Sequence, residues 1–155
     1  MTRVEEIALE LVEELCKACS DLHDGGEVLR AFRARARNMV TQLYFNGTAL
    51  VVSICAARSS ARAIEKGLKA AAVNEIAQFC NWEVANKLGL EGGEKIAYAI
   101  YGAVILYVLR TLGIIASHSF SDAIKELMDN RLADIVAWQF ATWLKRFAEA
   151  YIYES

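Results

Sequence analysis

The stretch KIAYAIYGAVILYVLR, residues 95–110, decides the fold. Between Lys95 and Arg110 it runs for fourteen residues without a charge or a proline. A membrane-spanning helix needs about 20 such residues, so this run falls short of one. It reads instead as a buried core helix over Ile96–Leu112, ended by Gly113. A helix of that kind must be surrounded, and the rest of the chain supplies helices to surround it.

On its N-terminal side, Gly92-Gly93 separates it from a helix expected to run from Gly67, a weak break, to about Leu88, where Gly89 ends it. Before that, Ala49 to about Arg58 is apolar almost all round (Leu50, Val51, Val52, Ile54) and is expected to be central. Ser59-Ser60 interrupts it ahead of a basic continuation through Lys66. Asn46-Gly47 is a stop signal, and Thr48 is placed to cap the helix that follows. Upstream, Leu29, Phe32, Ala36, Met39, Val40 and Leu43 fall on one face of a helix from about Glu27 to Phe45. Ile7, Leu11, Leu15, Ala18 and Leu22 make a stripe on a first helix from Thr2 to about Leu22, ended by Asp24-Gly25-Gly26.

On the C-terminal side, Ser117–Ser121 reads as a loop, with Ser121 the N-cap of a helix over Asp122–Met128. A last helix is expected from about Arg131 to Tyr153, with Leu132, Ile135, Val136, Gln139, Trp143, Phe147 and Ala150 at helical spacing. No segment alternates cleanly with period two, and no hairpin signal occurs. The fold class expected is therefore all-α: one compact domain over residues 1–155, a bundle of about six to seven helices.

Composition supports this. A chain of 155 residues suits one domain and buries a sizeable core without disulfide or metal. With 55% hydrophobic and 23% charged residues, disorder is not expected. Proline is absent, which removes ring-imposed helix breaks and extended proline-rich segments. Glu5 and Glu6 stand where a signal peptide would be apolar, so a cytoplasmic location is expected. The four cysteines are then expected to be reduced.

The net charge of −2 conceals a strong segregation. Residues 1–29 hold two bases against eight acids, a net of −6. Residues 30–69 hold Arg30, Arg33, Arg35, Arg37, Arg58, Arg62, Lys66 and Lys69 against Glu65 alone, a net of +7. Residues 70–155 carry a net of −3. A block of one sign attracts polyanions or an acidic protein face, unless the acidic first helix packs beside it and cancels it.

Candidate chemistry is sparse. Cys16, Cys19 and His23 resemble half of a zinc site. No fourth ligand is evident, since Cys55, Cys80 and His118 stand apart, so these residues read as structural and neither metal nor cofactor is expected. Glu5/Glu6 and Glu13/Glu14 read as solvated pairs. Asp122, Glu126, Asp129 and Asp134 straddle the gap between two helices rather than forming one divalent site. The chain has no nucleophile elbow, phosphate-binding loop, dinucleotide fingerprint or zinc-protease motif, so an enzyme is not expected. Tyr98, Tyr101, Tyr107, Trp138 and Trp143 read as core.

The basic segment is the strongest feature. Arg30, Arg33 and Arg37 align on one helix edge, while Arg35 points elsewhere. Arg62, Lys66 and Lys69 repeat the spacing if helix continues through Gly67. If the two helices lie antiparallel, the rows meet. Arginine's planar fork suits phosphate, and each neutralised phosphate releases counterion. Asn38, Gln42 and Asn46 on the same helix are placed for sugar or base edges.

Two segments carry a family resemblance. RARARNMVTQLYFNGTALVVSICAAR (33–58) runs a basic helix into Asn46-Gly47 and then an apolar helix, and ATWLKRFAEAYI (141–152) is the C-terminal piece. With the overall size and helix order, they resemble the small alpha-helical subunit of the Cmr complex, the type III-B CRISPR RNA-silencing effector. That resemblance implies a non-catalytic subunit in antiviral defence. Its copies stack head to tail beside the backbone subunits and contact the guide–target RNA through basic residues. The expected RNA contacts are Arg30, Arg33, Arg37, Arg62, Lys66 and Lys69. The partners are guide–target RNA, other Cmr subunits and neighbouring copies, with no membrane. A rival reading is a DNA-binding regulator of helix-turn-helix type over Arg30–Arg58, but its recognition helix would be Leu-Val-Val-Ser-Ile-Cys, almost without polar readers.

Overall fold

A computed structural model describes residues 3–20 and 25–153. Every regular element among them is helical, and nine α-helices are formed, more than the six or seven expected. They are α1 (Val4–Ser20), α2 (Gly25–Asn46), α3 (Thr48–Arg58), α4 (Ala61–Glu65), α5 (Val73–Ala77), α6 (Trp82–Lys87), α7 (Gly92–Thr111), α8 (Phe120–Leu127) and α9 (Arg131–Tyr151). Tighter 3-10 turns follow α4 (Lys66–Leu68) and α5 (Gln78–Cys80).

The core is built round α7. It is buried from Ile96 to Leu106 without interruption, and α2, α3, α4, α5 and α9 all pack on it. Its 20 residues would be long enough to cross a bilayer, but 78% of the apolar window is covered by the protein itself, as the sequence reading expects. Phe32 of α2 lies against Tyr101, ring centroids 6.3 Å apart. The helix expected to be central, α3, is a flank: Val51, Val52 and Cys55 are buried against α7, whereas Leu50 faces outward. α9 lies between α1 and α2.

The expected helix over 67–88 is instead a chain of short turns. Gly67 sits so close to α7 that a Cβ there would stand 2.0 Å from the Ala103 carbonyl oxygen. At Gly102 a Cβ would stand 2.7 Å from the Ile64 side chain and 3.0 Å from the Cys55 Cβ. These two glycines let α4 and its 3-10 turn lie directly on α7. Glu75 then starts α5 by accepting the Ala71 and Ala72 N–H groups, and the Asn81 side chain caps α6 through the Glu83 and Val84 N–H groups.

Several caps differ from expectation. Gly25 and Gly26 open α2 rather than closing α1. Thr48 is already helical and does not cap α3; Asp134 of α9 does, its Oδ1 accepting both the Thr48 N–H and hydroxyl at 2.8 Å. Gly47, at φ 83°, is what allows that approach. Ser119, not Ser121, caps α8. On α9 the buried face is Ala133, Ala137, Phe140, Ala141, Leu144 and Ala148, not the expected stripe. Its small residues let α9 settle closely between two neighbours. The larger Leu132, Ile135, Trp138 and Trp143 are left outside, so neither tryptophan is core. Tyr98 and Tyr101 are buried, and Tyr107 is half-buried.

The cysteines also depart from the reading. Cys19 at the end of α1 and Cys80 after α5 are joined in a disulfide, with Cα atoms 5.5 Å apart. Cys16 and Cys55 stay free, and burial pushes both thiols up, Cys55 to about 12. Cys19 is thus committed to a bond, not to a half zinc site. His23 lies outside the described residues.

Candidate nucleic-acid interface

The two basic rows do not meet. α2 packs on α7, α9, α1 and α3, whereas α4 packs on α7, α3 and α8, so the two helices are not packing partners. Arg35 leaves the edge of the other arginines, as expected, and turns over α7: its guanidinium donates to the Tyr98 hydroxyl at 2.6 Å, sits 5.0 Å from that ring's centre and lies 3.9 Å from Glu94. Arg37 is exposed and 4.0 Å from Glu149 of α9. Arg30 is exposed and Arg33 half-buried. Gln42 and Asn46 bond to each other at 2.8 Å. The cations of α2 are therefore strung along one helix, with Glu94 of α7 beside Arg35 and Glu149 of α9 beside Arg37.

The second row is brought together, although helix does not continue through Gly67 as α-helix. Arg62, Lys66 and Lys69 line one groove of about 460 Å³, joined by Lys87 from the end of α6. The floor is apolar: Ala70, Ile76, Phe79, Val84 and Leu88. Packing against α7 fixes the row, because Ile64 and Leu68 point inward and leave Arg62, Lys66 and Lys69 outward. Arg62 is held at the mouth by donating to the Lys87 carbonyl, which leaves further guanidinium N–H groups available.

Glu75 lines the groove with these four cations, and it is engaged in capping α5. Lys69 bonds Glu65 at 3.2 Å. The other Glu65 oxygen accepts the Phe120 N–H at 2.8 Å, and that bond, with help from Lys69, holds the carboxyl below its usual range. Lys66 and Lys87 have no ion-pair partner within 4 Å among the described residues. The arrangement suits a ligand with spaced negative charges and a flat, weakly polar body: phosphates on the rim and the face of a base against the floor.

Sequence spacing finds three of the four groove cations. Lys87 is missed, because nothing in a lone lysine 18 residues beyond Lys69 announces that the end of α6 comes beside Arg62. Two of the four acids weighed as a divalent site serve other purposes, and Asp122 and Asp129 are exposed. Glu126 accepts the Ala116 and Ser117 N–H groups and the Ser117 hydroxyl, and the hydroxyl bond foremost holds it below the usual carboxylate range. Asp134 caps α3. Among the described residues no three metal-ligating side chains converge. Compared with known proteins, the chain matches no family model, no curated protein and no solved structure.

Proposed function

We propose that this chain is a non-catalytic, RNA-binding structural subunit of a type III-B CRISPR (Cmr) effector, working in the cytoplasm in antiviral defence. The observation that carries the reading is the groove in which Arg62, Lys66, Lys69 and Lys87 surround an apolar floor. Three or four cations meet about as many phosphates, so one copy binds RNA with low affinity and steep salt dependence. Copies set side by side along a guide–target RNA add their contacts, and avidity then belongs to the assembly. Backbone contact of this kind carries little sequence preference, which suits a subunit that must accept any guide. The resemblance of residues 33–58 and 141–152 supplies the assembly and its other partners, the backbone subunits and neighbouring copies. Glu65, Glu75, Glu126 and Asp134 are all engaged as caps or anchors, which favours a scaffold over an acid–base catalyst.

The rival DNA-binding regulator would have to read bases with α3. Val51, Val52 and Cys55 of that helix are buried, and its outward positions include Leu50 and Ala57, which offer no hydrogen bond to a base edge.

Charge reversal in the reconstituted complex tests the proposal. Lys66→Glu with Lys87→Glu should weaken target-RNA binding and flatten its salt dependence while helicity is kept. Arg33→Glu with Arg37→Glu should have the smaller effect. If the α2 pair alone weakens binding, the groove is not the RNA surface; if neither pair does, the RNA-binding reading fails.

A further inference from the structure

The outer face of α9 and the end of α2 carry an apolar patch that the RNA reading does not use. Tyr44 is 67% exposed, Phe45 74%, Leu132 59% and Ile135 48%, with Trp138 and Trp143 beside them. The patch is continuous. Tyr44 contacts Phe45 at 5.1 Å and Trp138 at 6.0 Å between ring centroids, and Leu132, Ile135 and Trp138 follow one another at three-residue steps on α9. The stretches of α2 and α9 that form it carry no charge, and Glu5 of α1 lies beside Trp138 and Trp143 at its α1 edge. Residues 38–57 contain no ionisable acid or base other than Tyr44 and Cys55, and residues 135–144 contain none. Surfaces of soluble proteins rarely leave so many large aromatic groups together.

We propose that this face binds a second copy of the chain across a two-fold axis. Two observations favour a second copy over a different partner. The first is charge. At a two-fold contact every residue near the axis meets its own kind, so a charge there repels itself; α2 and α9 bring none to the centre, and Glu5 of α1 beside it is paired with Arg3 at 3.8 Å. The charges on α9 lie at its ends, Arg131 and Asp134 before the apolar stretch and Lys145, Arg146 and Glu149 after it. The second is area. These six side chains expose roughly 600–700 Å², close to the ~800 Å² per partner of a standard interface. Antiparallel pairing of two α9 helices centred near Gln139 sets Ile135 of one copy opposite Trp143 of the other and buries the charge-free stretch on both. Trp138 and Tyr44 then sit near the centre, where aromatic anchors contribute most.

The inference does not depend on RNA binding, and a head-to-tail stack would use two different faces. Sedimentation velocity of the purified chain across the micromolar range tests it. The wild type should convert from monomer to dimer and stop there. Ile135→Glu with Trp138→Glu should weaken that association at least tenfold, with the helical circular dichroism spectrum retained. Should that double variant fail to fold, Phe45→Ser and Tyr44→Ser, at largely exposed positions, serve in its place and should also weaken dimerisation. Arg146→Glu, beyond the charge-free stretch on the same helix, should dimerise within a few-fold of wild type. A wild type that stays monomeric, or grows into open-ended oligomers, overturns the proposal. So does a dimer that the patch variants leave unchanged.

Discussion

Asp134 reaches α3 from 86 residues away, and one of its oxygens takes both the N–H and the hydroxyl of the fully buried Thr48. Replacing it by alanine removes a helix cap and strands two buried donors. Asp134→Ala should therefore cost about 2–3 kcal/mol in urea unfolding, and Asp134→Asn, which keeps an acceptor, about 1 kcal/mol. Asn46-Gly47 was readable as a helix stop, because a glycine at that point signals a left-handed turn. The capping residue was not readable, because its partner comes from another helix and no local spacing announces it. Glu65 and Glu126 anchor the segment before α8 in a similar way, and both carboxyls are held below the usual range by the N–H and hydroxyl groups they accept. Their folded forms bind protons less readily than the unfolded chain does. The stability they add is complete above the unfolded value of about 4.3 and is lost as pH falls through the lower folded value. Glu126→Gln should lower the melting temperature at neutral pH, and its difference from wild type should shrink as the pH drops below about 4. A difference that is constant across this range would show that the carboxylate's charge is not what holds the segment.

Among the elements, the segment from Lys66 to Lys87 is the least self-sufficient. Its helices run five to six residues, joined by 3-10 turns, and helices so short do not stand alone in water. They persist because Gly67 lets the chain lie on α7, and because the Cys19–Cys80 disulfide ties the segment to α1. A cross-link over a separation of 61 residues stabilises by about 4 kcal/mol on the chain-entropy account. Reduction, or Cys80→Ser, should lower the melting temperature and speed amide exchange first within residues 66–88, with α7 and α9 affected less. Uniform loss of protection would contradict a local role. Thiol titration under denaturing conditions should find two free thiols before reduction and four after. The expectation of reduced cysteines followed from compartment alone, and compartment does not say which thiols a fold brings together. Helical character was legible along the whole chain, but α9 shows where periodicity is ambiguous. It is apolar on two faces, and the alanine face, having less hydrophobic bulk but permitting closer approach, is the one that is buried.

For the whole molecule, the all-helical architecture followed from composition, the absence of proline and the run at 95–110. The surplus of bases over 30–69 was equally visible. What it could not reveal was that α7 would separate the two basic rows, since spacing along a helix says nothing about which helices become neighbours. Arg62, Lys66 and Lys69 met Lys87 instead of the arginines of α2. The central claim is that this groove, and not the α2 row, holds RNA backbone. The salt dependence of single-stranded RNA binding by the isolated chain tests it most directly, in wild type and in Lys66→Gln with Lys87→Gln. With three or four phosphates engaged, the wild-type plot of log affinity against log salt should have a slope of about −2 to −3, and the double variant should lose roughly 1.4 of it. Identical slopes for the two proteins would contradict the account.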